Sequence, residues 1–448
     1  MSRIGAILFV LTALLIGFWW QRNKRKETPQ VICRGCNVVF VSFDTLRAKN
    51  VHALGYPRNT TPNLDKLAKT GFTFNQAMSV APWTLPSTMS WFTGAYPSQH
   101  KVLNKFTLLP SGEEKLTNLG DLSPSFKTLA EIFRENGYWT GGFTGGAGVD
   151  HQFGFNQGFE VYTDEGNFAG FRESVPQALN WIKAHKDEKM FVFLHGYDVH
   201  GQYVPEGGYD RRFVDFDYQG RLTGSKEEQK ELREEGLARG SIFLTPEDVR
   251  FLTALYDEKI QRADSEFGRF IAQYHELGLM EKTIFVITSD HGEELYEHGR
   301  IDHGQSLYDE LLHVPLIILV PGVPGKIIET QVRSIDLMPT ILELTAISPP
   351  ESVKKQMAGT SLVPLLRGQK LKLDVFPETD YRYAIFKRSI RTRNNWKYIL
   401  DLENKLEELY DISSDRNEQD NLVNNKKDQL GRLRQLLRKH LGLFKVAD

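Results

Sequence analysis

Cysteine is almost missing from this 448-residue chain, which has only Cys33 and Cys36. Two thiols cannot build a disulfide framework or a cysteine zinc cluster. A surplus of one charge is also absent, because 55 Lys and Arg face 57 Asp and Glu. No global field then exists to draw in nucleic acid or an acidic polymer, so no nucleic-acid partner is expected and any anion must be bound locally. No internal repeat or low-complexity tract is visible, and 40% hydrophobic with 25% charged residues excludes disordered, fibrous and polytopic classes. The Cys33-Arg-Gly-Cys36 spacing lies in a linker rather than at the strand-to-helix junction where a redox pair is expected, so it reads as a local disulfide or as idle thiols.

What is present begins with a 17-residue apolar run, Ile4 to Trp20, broken only by Thr12. At 1.5 Å per residue it can just cross a thin hydrocarbon core, with Trp19 and Trp20 at the interface. A signal peptide would need an A-x-A-like site after it, and a buried core helix would not be apolar all round. The expectation is a single-pass membrane anchor with its basic flank over 1–27, then a linker over 28–36. Arg22, Lys24, Arg25 and Lys26 follow the run, and positive-inside counting alone favours a cytoplasmic body.

Beyond the linker, strand and helix patterns alternate, which predicts an α/β fold with a large, mostly parallel sheet between helices. Val38–Phe43, Met190–Leu194, Thr283–Thr288 and Val314–Val320 read as buried strands. Thr245-Pro246-Glu247-Asp248 supplies an N-cap, a proline at the first helical position and first-turn acids, and opens a helix to about Leu277. Residues 201–250 lack a clear period and carry the Lys226-to-Glu235 charge cluster, which reads as a lid or insertion, or as a solvated helix face. Pro349-Pro350 divides a catalytic domain, 37–348, from a smaller α+β C-terminal subdomain, 349–448. In the latter, Ile390–Leu400 reads as a strand and Lys427–Leu443 as a closing amphipathic helix.

Polar residues gather at the carboxyl ends of the predicted strands, where open α/β sheets bind ligands. Asp44 ends the first strand, and Asp290-His291 ends the third. Two carboxylates and an imidazole converging on one edge form a divalent-metal site. Asp44 alone would more often be an N-cap, but Asp-His-Gly-Glu-Glu needs a cation or several backbone donors. Thr84 lies in the loop Ala81–Ser90 before an apolar helix start, where it is a nucleophile or metal ligand, or simply an N-cap. His200 and His303 lie near strand ends and can hydrogen-bond a transferred anion or protonate a leaving oxygen. His195 and His298 read as structural. Tyr203, Tyr209, Arg211 and Arg212 are substrate-facing candidates in the lid or insertion.

Asn37–Arg47, Gly55–Asp65, Pro86-Ser87 to Thr93-Gly94 with Tyr96-Pro97, and Ser289–Glu294 resemble, in order, motifs of the sulfatase family of the alkaline phosphatase superfamily. The resemblance continues through Asp198-Val-His200, His303-Gly304, Leu307–Glu310, Pro315 and Ile335–Thr340 to Leu409–Ile412 and Asn421-Leu422. It implies that Asp44, Asp290, His291 and Thr84 surround one divalent cation, with Thr84 in the nucleophile position and His200 and His303 contacting the transferred anion. It also suggests an extracytoplasmic body, against the charge count of the flank.

The family core reads C/S-x-P-x-R, with the first residue oxidised to formylglycine, whereas this chain reads Thr84-Leu-Pro-Ser-Thr88. A threonine bears a methyl group on the carbinol carbon and cannot become an aldehyde, so no formylglycine is expected. The arginine is replaced by Thr88, and the segment matching a Lys-x-His pair reads Gly141-Gly-Phe-Thr-Gly-Gly-Ala147. Threonine is the usual nucleophile in relatives that cleave or transfer phosphodiesters and phosphoglycerol groups. The first expectation is therefore phosphate-ester chemistry through a covalent threonine intermediate. A sulfatase without formylglycine comes next, and an inactive binding protein last. The substrate would be an anionic ester of a lipid, glycan or small molecule. An imidazole beside carboxylates shifts the metal preference from calcium toward zinc or manganese. A second metal on Asp198, His200 and His303 is the weaker extension.

Overall fold

The computed structural model describes residues 30–443 apart from 104–105, 109–113, 117–120, 205–210, 216 and 383. The apolar run Ile4–Trp20, its basic flank and Tyr209 lie outside the described residues. Among the described residues no helix is long and apolar enough to cross a membrane.

In chain order the principal elements start with β1 (Asn37–Phe43), β2 (Phe72–Met78), α1 (Thr84–Thr93), β3 (Trp139–Phe143) and β4 (Val161–Thr163). Next come α2 (Phe171–Ala184), β5 (Met190–Gly196), α3 (Lys226–Arg239), α4 (Pro246–Glu276), β6 (Thr283–Ser289), β7 (His313–Leu319), β8 (Ile327–Ile328) and β9 (Val332–Arg333). The C-terminal subdomain holds β10 (Glu378–Tyr381), β11 (Ile385–Arg391), β12 (Trp396–Asp401), β13 (Glu407–Asp411) and α5 (Lys427–Leu443). Strands β1 to β9 form one sheet in the order β8-β2-β7-β6-β1-β5-β3-β4, with β9 also on β2. All pairs are parallel except those of β7, which runs antiparallel to β2 and β6. The sheet is mostly parallel, as expected, and mixed through one strand, the one expected at Val314–Val320.

Alternation along β1 builds two cores. Val38 and Phe40 face Met89, Trp91 and Phe92 of α1, whereas Val39, Val41 and Phe43 face Leu179 of α2 and Ile260 and Phe267 of α4. Both faces are buried, which explains why the strand is hydrophobic without interruption. Helix α4 begins as its sequence dictates: the Thr245 side chain accepts from the Asp248 N–H at 3.2 Å, and Asp248 accepts from the Thr245 N–H at 3.0 Å. The charge cluster is helix α3, opened by the Ser225 side chain accepting from the Glu228 N–H.

Residues 351–373 still pack on the first core through Val353, Leu362, Val363 and Leu366. The antiparallel sheet β10-β11-β12-β13 follows, covered by Leu430, Leu433 and Leu437 of α5. The single strand expected at Ile390–Leu400 is instead the turn and two arms of the β11–β12 hairpin, with Asn395 in the left-handed region at φ 62°. Cys33 and Cys36 are joined as a local disulfide.

Candidate active site

Strand register places the site. Phe43 pairs with Ser289 of β6 and Gly196 of β5, so Asp44 and Asp290, each one residue past its strand, emerge side by side at the carboxyl edge. Asp44, Asp290 and His291 are fully buried, and their ligand atoms lie within 4.8 Å of one another. His291 Nδ1 stands 2.8 Å from the Gly292 carbonyl, to which it donates, so Nε2 turns its lone pair toward Asp290 Oδ2 at 3.4 Å. Thr84 opens α1 as its first residue, after Trp83 at the cap position, and is therefore not the N-cap. Its hydroxyl donates to Asp44 Oδ1 at 3.1 Å and lies 3.3 Å from His291 Nε2. Gly148, the residue after the segment that replaces the Lys-x-His pattern, packs directly on Thr84, since a Cβ there would come within 2.8 Å of the Thr84 Cβ. Tyr197 fixes that turn, accepting from the Gly148 N–H and donating to the Gly146 carbonyl.

Burial and the neighbouring Asp290 charge push the Asp44 carboxyl well above the usual range. Burial acts on Asp290 too, but His291 and His195 outweigh it and hold this carboxyl low. Burial depresses His291 to about 4, so the imidazole is neutral, the form that ligates metals. Oδ2 of Asp44 and Oδ2 of Asp290 are both buried, without a hydrogen-bond partner among the described residues. Two enclosed carboxylates with orphaned oxygens beside a neutral imidazole fit a divalent cation.

His303 and His200 join the same edge. The His303 ring lies 4.4 Å from that of His291 and 5.0 Å from that of His200. Asp198 does not join them: its Oδ2 accepts from the Phe171 N–H at 2.6 Å and caps α2. The metal arrangement expected on Asp198, His200 and His303 is not formed, because that carboxylate is already spent on a helix start. The nearby cluster is Glu293, Asp302 and His303, with His303 Nδ1 3.0 Å from Glu293 Oε1 and 3.1 Å from Asp302 Oδ1. Burial would lower His303, but the Asp302 and Glu293 charges outweigh it and raise its pKa. Arg233 of α3 approaches Asp302 Oδ2 at 3.6 Å, so a guanidinium stands beside this pair of carboxylates.

Several of these residues were not assigned from sequence. His195 pairs with Ser42 across β5 and β1, which puts it on the Asp44 face; its Nε2 stands 4.0 Å from Asp44 Oδ1, and neither ring nitrogen has a hydrogen-bond partner. Strand parity would have shown this had the register been known. Glu293 and Asp302 flank residues already singled out, but nothing local says that they meet. Residues 201–250 reach the second cluster through Arg233, beside Asp302, and through Tyr203, whose hydroxyl bonds to Glu293. Tyr203 is buried against Tyr256, while Arg211 and Arg212 are exposed. His298 is structural as expected, paired with Glu310 at 2.8 Å and stacked on Tyr308.

A metal-type group of two carboxylates and an imidazole at a sheet edge, with a hydroxyl aimed into it, defines an α/β protein arranged to handle an anion. The sulfatase family profile matches residues 36–347, and that of the N-sulphoglucosamine sulphohydrolase C-terminal region matches 296–445. The chain belongs to the sulfatase family. Arylsulfatase K of Xenopus laevis is 30% identical over 218 residues, covering 45% of this chain and 39% of that protein. The chain thus spans well under half of that relative in this alignment. The delta 4,5-hexuronate-2-O-sulfatase of Bacteroides thetaiotaomicron is 25% identical over 87% of this chain and 85% of its own length. Among solved structures, the phosphonate monoester hydrolase of Silicibacter pomeroyi superposes with a TM-score of 0.71 at 20% identity, covering 92% of this chain and 96% of that one, a likeness of fold.

Proposed function

We propose that this chain is a metal-dependent hydrolase of sulfate esters that works without formylglycine, its substrate an ester on a glycan or a similar small molecule. The observation that carries the reading is the Thr84 hydroxyl, 3.1 Å from Asp44 and 3.3 Å from His291, inside a sulfatase-family domain. Phosphate esters led the reading from sequence. The named relatives, arylsulfatase K and a hexuronate sulfatase, move sulfate ahead. Phosphate-ester cleavage through a phosphothreonine remains the second reading, favoured by the threonine itself and by the shared fold of a phosphonate monoester hydrolase.

Asp44, Asp290 and His291, with Thr84, would hold the cation, which when bound lowers the pKa of a hydroxyl and draws charge from the transferred anion. The hydrogen bond from Thr84 to Asp44 aims the remaining lone pairs of Oγ1 into the site for in-line attack, and Asp44 takes the hydroxyl proton as the new bond forms. His303 and His200 face the transferred group, and His303 gives its proton to the departing oxygen. Water then cleaves the threonine ester.

The test assays aryl sulfate, phosphate monoester and phosphodiester substrates with zinc, manganese and calcium, using Thr84→Ala as control. Sulfate turnover that drops at least about 10³-fold in Thr84→Ala supports the proposal. Faster turnover of a phosphate ester selects the second reading, turnover surviving Thr84→Ala removes Thr84 from its role, and turnover of nothing favours a binding protein. The Cys33–Cys36 disulfide supports a body in an oxidising compartment outside the cytoplasm. Membrane attachment rests on Ile4–Trp20 alone, and protease accessibility of the C-terminus in intact cells tests both.

A further inference from the structure

Glu293 is fully buried, one residue beyond the Asp290-His291-Gly292 turn. Among the described residues its Oε1 accepts a hydrogen bond from His303 Nδ1 at 3.0 Å, and the Tyr203 hydroxyl is the other group that bonds to this carboxylate. Enclosing a carboxylate for so few contacts is costly unless they have a use. Its backbone is clamped, with the carbonyl accepting from Arg47 at 2.9 Å and the N–H donating to the Glu310 carbonyl at 3.1 Å. Asp302 is the other carboxylate near His303, but its Oδ1 accepts from the His303 backbone N–H and its Oδ2 faces Arg233. Asp302 therefore shapes the turn; its Oδ1 also lies 3.1 Å from His303 Nδ1, but of the two carboxylates Glu293 is the one that forms a hydrogen bond to the ring.

We propose that Glu293 is a positioning residue: it takes the Nδ1–H of His303, fixes the plane of the ring, and leaves Nε2 facing the leaving oxygen of the ester. His303 Nε2 makes no hydrogen bond among the described residues, and its ring lies against His291 and His200. In the step served, the bond from sulfur or phosphorus to the leaving oxygen breaks with its electron pair on that oxygen. The Nε2 proton moves to it, and a neutral imidazole remains with Nδ1–H still on Glu293. The inference rests on the proposed ester hydrolysis and on His303 facing the leaving group.

The experiment compares Glu293→Gln, His303→Ala and the double variant of the full-length, metal-loaded chain on a nitrophenyl and an alkyl sulfate, and records histidine ¹⁵N spectra. Glu293→Gln is expected to lower kcat on the alkyl ester about 10- to 100-fold with KM within about two-fold, and to affect the nitrophenyl ester, whose leaving group needs no proton, far less. In the His303→Ala background it should cost nothing further. Equal losses on both esters, or a full second loss in that background, overturn the proposal. Should no ester be turned over, the proposed hydrolysis fails by itself, and the spectra decide the positioning. Loss of the His303 Nδ1–H tautomer in Glu293→Gln supports it, and an unchanged tautomer overturns it.

Discussion

Two buried clusters a few ångströms apart share a composition of two carboxylates and a histidine but differ in counter-charge. At the sheet edge, Asp44 and Asp290 face a neutral His291, and two carboxylate oxygens have no hydrogen-bond partner among the described residues. At the neighbouring two-stranded hairpin, in which Glu294–Leu295 pairs with Ile301–Asp302, Asp302 and the adjoining Glu293 face a His303 whose pKa they raise, and Arg233 completes the set. The first cluster is short of positive charge and calls for a cation, whereas the second is closed by side chains. Ligand residue types at ligand spacing therefore do not define a metal site until the cations already present have been counted.

The largest effects should come from breaking the open cluster. Asp290→Asn is expected to abolish tight metal binding and lower ester turnover at least about 10³-fold, while Thr84→Ala loses turnover of similar size with metal content retained. Calorimetry and elemental analysis separate the two. In the closed cluster, Arg233→Met strands Asp302 and should cost about 1–3 kcal/mol in denaturant unfolding. Adding Asp302→Asn should recover most of that loss, and failure to recover it would place the Arg233 contribution elsewhere.

A third cluster tests the same rule by pH. Burial would depress His298, but Glu310 outweighs it and lifts the imidazole to about 9. A histidine raised on folding stabilises fully below its unfolded value near 6.5, and the gain is lost as pH rises through about 9. Stability should fall by at most about 3 kcal/mol between those limits, and His298→Gln should remove that slope. The smallest effect is expected at the exposed Arg239–Glu235 pair, where Arg239→Gln should change stability by less than about 0.5 kcal/mol.

The elements were legible where local chemistry decides them. The valine, isoleucine and phenylalanine runs announced β1, β5 and β6, and the Thr245 cap marked the start of α4. The β11–β12 hairpin was read through, because its turn, Thr392–Asn395, depends on one residue with positive φ rather than on glycine or proline. At the site, Asp44, Thr84, Asp290, His291, His200 and His303 were all singled out from the sequence, and the structure gathers them at one edge. What stayed hidden needed register or tertiary approach. His195 meets Asp44 only through the β1–β5 pairing, Glu293 meets His303 across a hairpin, and Arg233 reaches Asp302 from a helix whose sequence reads as a solvated charge run. The segment 141–147 was noticed for the cations it lacks, whereas the packing of the next residue, Gly148, against Thr84 appears only in three dimensions.

The most direct test of the contrast between the clusters is metal stoichiometry, measured on the purified chain after equilibration with zinc or manganese and removal of free ion. The account predicts one ion per chain, lost in Asp290→Asn and retained in Glu293→Gln. An ion that survives Asp290→Asn, or a second ion that disappears with Glu293→Gln, would contradict it.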